Sequence, residues 1–281
     1  MDLLQRLQAR QAPLLRLPAP EPPEDEMDMA EKHVFSGDDL ARMAARMAGA
    51  LARLGVRPAA GRAVTLAQPV YSLETVMLWL AAVLTGTDVH VLPDAAEKLP
   101  EQAGLLVCPP PEKARWQPAA ARAGVKVATL GGHWEGSFFM LQMVQQKAAH
   151  DLPLAQAQGR TWFAGDAAGL ELPALLEQAE ALAVRHELRQ ASAFLVSLPV
   201  FDAPGMLALA LAALLQADAP LYWLAPARRA AALAAPEELP EMPEGVAVLG
   251  DAGFMDMLAA SGAGQAVLRR GRCISVGADD A

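Results

Sequence analysis

The chain has 281 residues, of which 53% are hydrophobic and 20% charged, so it can bury a substantial core and falls outside the disordered class. Aromatic residues make up 5% and alanine dominates the apolar count, a composition suited to helices packed closely on sheets. With 32 acidic against 23 basic side chains the net charge is −9, which excludes a broad basic surface for nucleic acid or anionic lipid.

Residues 1–17 carry Leu3, Leu4, Leu7, Leu14, Leu15 and Leu17 among Arg and Gln. This predicts a short amphipathic helix, either packed on its own domain or docked on a partner. The stretch Pro18-Ala-Pro-Glu-Pro-Pro-Glu-Asp-Glu26 has no means of packing and reads as a linker. Residues 1–32 are therefore an extension and linker. From Ser36, a residue that caps helices, Leu40, Met43, Ala44, Met47, Leu51 and Leu54 recur at helical spacing as far as Gly55. Ala63–Ala67 reads as a buried strand. Ser72 caps a second helix that stops at Gly86, and Val89–Leu92 is the next strand. Leu105–Cys108 and Val125–Leu130 are two more, with Pro-rich and Ala-rich material between them.

Trp162–Ala164 reads as a strand entering a glycine-containing turn, and Pro173 suits the first turn of a helix reaching about His186. Phe194–Leu198 is a strand. Pro204–Gln216 is apolar nearly all round and predicts a deeply buried helix. Leu221–Leu224, Val246–Leu249 and Ile274–Val276 complete the strands, with helices near 226–235 and 251–260. Strands alternating with helices imply an α/β fold of mainly parallel sheets flanked by helices. Residues 33–281 form this domain, with sub-lobes at 33–160 and 161–281.

Cys108 and Cys273 stand far apart in sequence, compatible with two buried thiols in a reducing compartment or with one long-range disulfide. No Cys/His cluster has metal-ligand spacing, so no metal is expected. The N-terminus lacks a basic start followed by an unbroken apolar stretch. The longest apolar run, Met206–Leu215, has ten residues where a membrane span needs about 20. The expectation is a cytoplasmic protein with no membrane span.

Four segments together carry a family resemblance. They are Phe35-Ser-Gly-Asp-Asp-Leu40 running to Leu54-Gly-Val-Arg-Pro58 and its following strand; Ser72 to Pro93; Leu198-Pro-Val-Phe-Asp-Ala-Pro-Gly205; and Gly245-Val-Ala-Val-Leu-Gly-Asp-Ala-Gly-Phe254 through Ile274-Ser-Val-Gly-Ala278. In order and spacing they resemble the large N-terminal domain of the adenylate-forming superfamily: acyl-CoA synthetases, AMP-dependent ligases and adenylation domains. The resemblance covers about residues 33–278. It implies a fold built to hold ATP and a carboxylate.

It also implies where that chemistry has decayed. The family grips phosphate with a loop of glycines, hydroxyls and a lysine, because backbone N–H groups, O–H donors and a cation meet the phosphate oxygens. The matching segment here is Phe163-Ala-Gly-Asp-Ala-Ala-Gly-Leu-Glu-Leu-Pro173. Gly165, Gly169 and Pro173 keep the framework, whereas Asp166 and two alanines stand at the hydroxyl positions and no lysine follows. Asp166 and Glu171 are expected to repel a triphosphate. The adenine-stacking aromatic, the acidic metal ligand and the lysine-bearing small domain of the family fall beyond Ala281. The resemblance thus implies a degenerate, truncated domain with no catalytic residue, no cofactor and no metal.

Phe201, Asp202 and Gly205 match the family's substrate segment and mark a vestigial acyl or aminoacyl pocket; alternatively Asp202 is the N-cap of the helix that begins at Pro204. His133-Trp134 between glycines, and His90 in a strand, are read as a surface loop and a sheet histidine. Arg228-Arg229 and Arg269-Arg270-Gly-Arg272 are basic clusters on an acidic chain, either solvated or facing an acidic partner such as a carrier protein. The expected function is a binding or scaffolding partner in a biosynthetic or regulatory assembly, through a protein partner or self-association, with a small carboxylate or acyl ligand as a further expectation. The alternative is one subunit of a split ligase that another chain completes.

Overall fold

The strand segments sort into two six-stranded sheets. The computed structural model describes residues 3–17, 34–58, 61–67, 71–93, 95–130, 154–165, 168–216, 218–235 and 239–275. The chain divides into two compact units, one of Met1–Leu40, Leu176–Val200 and Gly205–Ala281, the other of Ala41–Leu175 and Phe201–Pro204.

In the first unit the strands are β1 (Leu14–Leu17), β2 (Val34–Phe35), β9 (Ala193–Ser197), β10 (Leu221–Leu224), β11 (Val246–Gly250) and β12 (Gly271–Ser275), in the order β12-β11-β9-β10-β1-β2. All pairs are parallel except the edge pair β1–β2. In the second unit they are β3 (Ala63–Ala67), β4 (Val89–Leu92), β5 (Ala103–Cys108), β6 (Lys126–Thr129), β7 (Arg160–Trp162) and β8 (Leu170–Glu171), in the order β6-β5-β3-β4-β7-β8. Again only the edge pair β7–β8 is antiparallel. In each sheet four consecutive parallel strands share one order: β9 and β3 are followed on one side by β10 and β4, and the chain then crosses back to β11 and β12, or β5 and β6, on the other. The expected class of mainly parallel sheets flanked by helices is what the structure has.

The helices are α1 (Leu3–Gln8), α2 (Gly37–Arg53), α3 (Leu73–Leu84), α4 (Lys113–Ala123), α5 (Leu172–Arg185), α6 (Pro204–Leu214), α7 (Arg229–Ala234), α8 (Ala252–Ala260) and α9 (Gly262–Arg270). The Ser36 hydroxyl accepts from the Asp39 N–H at 3.2 Å, while the Asp39 carboxylate accepts from the Ser36 N–H at 2.8 Å. This reciprocal pair satisfies donors that the first turn of α2 leaves open. Ser72 caps α3 by accepting from Thr75 N–H at 3.2 Å. Every residue of α3 is buried, as is α6 from Leu207 to Leu214.

Three expectations need correction. The N-terminal helix ends at Gln8, and Leu14–Leu17 is a strand paired parallel to β10. Pro13 separates the two, and its carbonyl accepts from Leu221 N–H at 3.0 Å, so the leucines after it follow the register of the sheet. The Pro-rich and Ala-rich stretch before β6 is the helix α4, which keeps Pro118 inside it and buries only a narrow face through Trp116 and Ala120. Finally, the two cysteines differ: both are free, Cys108 is buried and Cys273 is exposed on the edge strand β12. Burial pushes the Cys108 thiol up to about 11 and Glu112 adds to this, so it stays protonated at neutral pH.

The far end of α6 poses an electrostatic problem. A buried apolar helix ends in carbonyl groups that have no intrahelical partner. Arg10, 4% exposed, answers it: its guanidinium donates to Leu214 O at 3.0 Å, to Gln216 O at 2.7 Å and to Ala219 O. The cation also lies at the negative end of the helix dipole. Burial pulls this guanidinium down only to about 10, so it remains charged at neutral pH. Arg10→Met is expected to cost about 2–4 kcal/mol in urea unfolding, since it strands several buried carbonyls. Arg10→Lys should recover only part, because one ammonium cannot reach all three acceptors with the same fork.

Candidate functional site

The segment read from sequence as the counterpart of a phosphate-gripping loop follows strand β7 and leads into β8. Strands β7 and β8 pair antiparallel with Arg160 opposite Glu171 and Thr161 opposite Leu170, and residues 163–169 link them. The anchors are specific. Trp79 donates its indole N–H to Thr161 Oγ1 at 2.8 Å, and Arg160 N–H donates to Asp88 Oδ1 at 2.8 Å. The Trp162 indole stacks on His90 of the adjacent strand, with centroids 5.6 Å apart and planes 4° from parallel. His90 thus has a packing role in the sheet, and burial lowers its pKa although Asp88 pulls the other way.

The two framework glycines have local reasons to be glycine. A Cβ at Gly169 would stand 2.6 Å from Cε2 of Trp162, so the indole requires a bare backbone there. Gly165 has φ +90° with open space around it, a turn conformation that side chains resist. Ala164, Gly165, Ala168 and Gly169 offer no side-chain donor; Asp166 and Ala167 lie outside the described residues. Pro173 falls in the first turn of α5. Glu171 meets Arg160 Nη2 at 2.8 Å across the hairpin, so its charge is partly answered and its expected repulsion of phosphate is smaller than the sequence suggested. His133 and Trp134 lie outside the described residues.

The other named residues separate. Phe201 is fully buried, while Asp202 is exposed and its Oδ1 accepts from Tyr71 O–H at 2.7 Å. Gly205 is buried in the first turn of α6. Tyr71 was not singled out from sequence, and no local pattern marks it. Among the described residues, no three His, Cys, Asp or Glu side chains are grouped to hold a metal.

The first sheet reverses direction between β9 and β11. In doubly wound sheets the crevice at the carboxyl ends of such strands is where ligands sit. Here Arg229 is seated there. Its Nε donates to Ser197 Oγ at 2.9 Å and its Nη2 to Ser197 O at 2.7 Å, while Nη2 lies 2.8 Å from Asp251 Oδ2. Asp251 in turn caps α8, accepting from Phe254 N–H at 2.8 Å, and the guanidinium lies over the Phe254 ring at 4.9 Å. The Arg229 side chain is 12% exposed. This corrects the reading of Arg228-Arg229 as a solvated pair: Arg229 is an internal clamp. Arg270 and Arg272 are likewise engaged, with Met242 O and Glu241, and with Glu187. Asp251 was findable as a capping residue before an apolar run; Arg229 had no such signal.

No family model and no curated protein matches the chain. Solved structures do. Apo MatB from Rhodopseudomonas palustris aligns over 93% of this chain and 51% of its own, at 18% identity and a TM-score of 0.64. The amide bond synthetase McbA from Marinactinospora thermotolerans aligns over 97% and 53%, at 18% identity and 0.58. A long-chain-fatty-acid-CoA ligase from Archaeoglobus fulgidus aligns over 97% and 62%, at 14% identity and 0.60. The fold is that of the adenylate-forming ligases. The chain spans about half the length of the first two of these structures.

Two outcomes follow for this region. Arg229→Met should destabilise the protein by about 2–4 kcal/mol, and Asp251→Asn, which preserves a capping residue, by less; a double-mutant cycle in urea should show strong coupling between the two. Because burial lowers the His90 pKa, the folded state resists its protonation, so this contribution is intact above the unfolded value near 6.5 and is lost as pH falls below it. Urea midpoints between pH 8 and pH 5 should fall more for the parent than for His90→Asn.

Proposed function

We propose that this chain is a non-catalytic member of the ligase-like group, acting as a binding or scaffolding partner in a larger assembly. The observation that carries the reading is the hairpin between β7 and β8. The described residues that link the two strands carry no hydroxyl and no lysine, and their glycines are accounted for by a turn and an indole. Backbone N–H groups alone give phosphate a weak hold when no cation accompanies them. Carboxylate adenylation further needs a positive group at the developing charge on phosphorus. The vestigial pocket at Phe201, Asp202 and Gly205 belongs to the same proposal: with Asp202 held by Tyr71, it is a remnant that retains shape without turnover.

A second reading is favoured by the coverage, since the chain spans about half of apo MatB and of McbA. There, further polypeptide supplies the other groups of a carboxylate-adenylating ligase. ATP–pyrophosphate exchange separates the readings. The chain alone, offered a panel of fatty, aryl and amino acids with MgATP, is expected to give no exchange above the blank. Exchange by the chain alone contradicts the proposal, and exchange appearing only when a second polypeptide is added selects the split ligase.

A further inference from the structure

The unit of the first sheet holds a groove that neither the hairpin nor the Arg229 clamp touches. It has a volume of about 180 Å³ and lies between the stretch Leu239–Met242 and α9. Leu239, Met242, Ala263, Ala266 and Val267 make its wall apolar, and Arg270 stands among them. An apolar cavity of about 150 Å³ accepts benzene, so this groove has room for a hydrocarbon body of about six to eight carbons.

Arg270 gives the groove its chemical direction. Nη1 donates to Met242 O at 2.9 Å and lies 2.7 Å from Glu241 Oε1. Both contacts use one nitrogen; Nη2 and Nε have no protein partner among the described residues. Glu241 is 81% exposed, so its hold on Arg270 is a surface ion pair of little net strength and is readily exchanged. A guanidinium edge at the mouth of an apolar groove matches a carboxylate in two parallel hydrogen bonds.

We propose that this groove binds a small hydrocarbon carboxylate, its head on Nη2 and Nε of Arg270 and its body against Leu239, Met242 and Val267. The site includes no residue of the hairpin and none of 201–205, so it stands whether or not the chain binds ATP.

Titration of the full chain with benzoate and hexanoate, followed by amide NMR shifts, tests this. Saturable shifts are expected at residues 239–242 and 262–270. Arg270→Met should weaken both carboxylates at least tenfold and leave neutral benzyl alcohol unchanged. Glu241→Gln removes the competing carboxylate and should tighten binding about two- to fivefold. Ala266→Phe, from an exposed helix position, should fill the groove and abolish all three ligands. Because Arg270 also holds the Met242 carbonyl, Glu241→Gln and Ala266→Phe decide the matter if Arg270→Met loses benzyl alcohol as well. Absence of shifts in the parent overturns the site. So does a carboxylate affinity that Glu241→Gln leaves unchanged or lowers, or one that survives Ala266→Phe.

Discussion

Arg229 joins the parts of the first sheet that sequence keeps apart. It follows β10, yet its guanidinium is bonded to the last residue of β9 and to the residue after β11, and it covers the ring that opens α8. A mostly buried cation is tolerated because hydroxyl, carbonyl, carboxylate and aromatic face surround it. The same set of bonds fixes the capping aspartate of α8 and closes the end of the sheet where the strand order reverses. Pulling Arg229 out would leave a carboxylate and a carbonyl facing one another in a partly dry crevice.

Strands β3–β6 of the second sheet repeat the order of β9–β12 in the first, and the edge hairpin of the second sheet is held by a different device. An indole stacked on a histidine sets the floor, an ion pair spans the two strands, and a bare glycine lies against the indole. In both places side chains bond to one another across neighbouring strands. Arg10 is the complementary case, where a buried cation serves the backbone alone by terminating α6.

Much of the fold was readable from periodicity and caps. Ala63–Ala67, Val89–Leu92 and Leu221–Leu224 are strands with the bounds their apolar runs suggested, and Ser36 and Ser72 cap the helices that follow them. What escaped had a reason. Leu14–Leu17 is leucine-rich and too short to display a period of two, so only pairing with β10 defines it. Pro118 argued against a helix that packing of Trp116 nevertheless supports. α9 starts with two glycines, Gly262 and Gly264, and is made by the Ser261 cap and by the fit of Gly264 against Leu258. The framework glycines of the hairpin were visible, but the indole beneath Gly169 was not. Long-range partners such as Tyr71 with Asp202, or Arg229 with Ser197, leave no trace in local spacing because they are set by topology.

The proposed loss of nucleotide binding rests on the link after β7, whose described residues carry no hydroxyl and no lysine. Its most direct test is a MgATP titration of the full chain, read by the amide resonances of Ala164, Gly165, Ala168 and Gly169 and by the indole N–H of Trp162. No saturable shift is expected at these signals up to millimolar nucleotide. A saturable shift centred on Gly165 and Gly169 would contradict it.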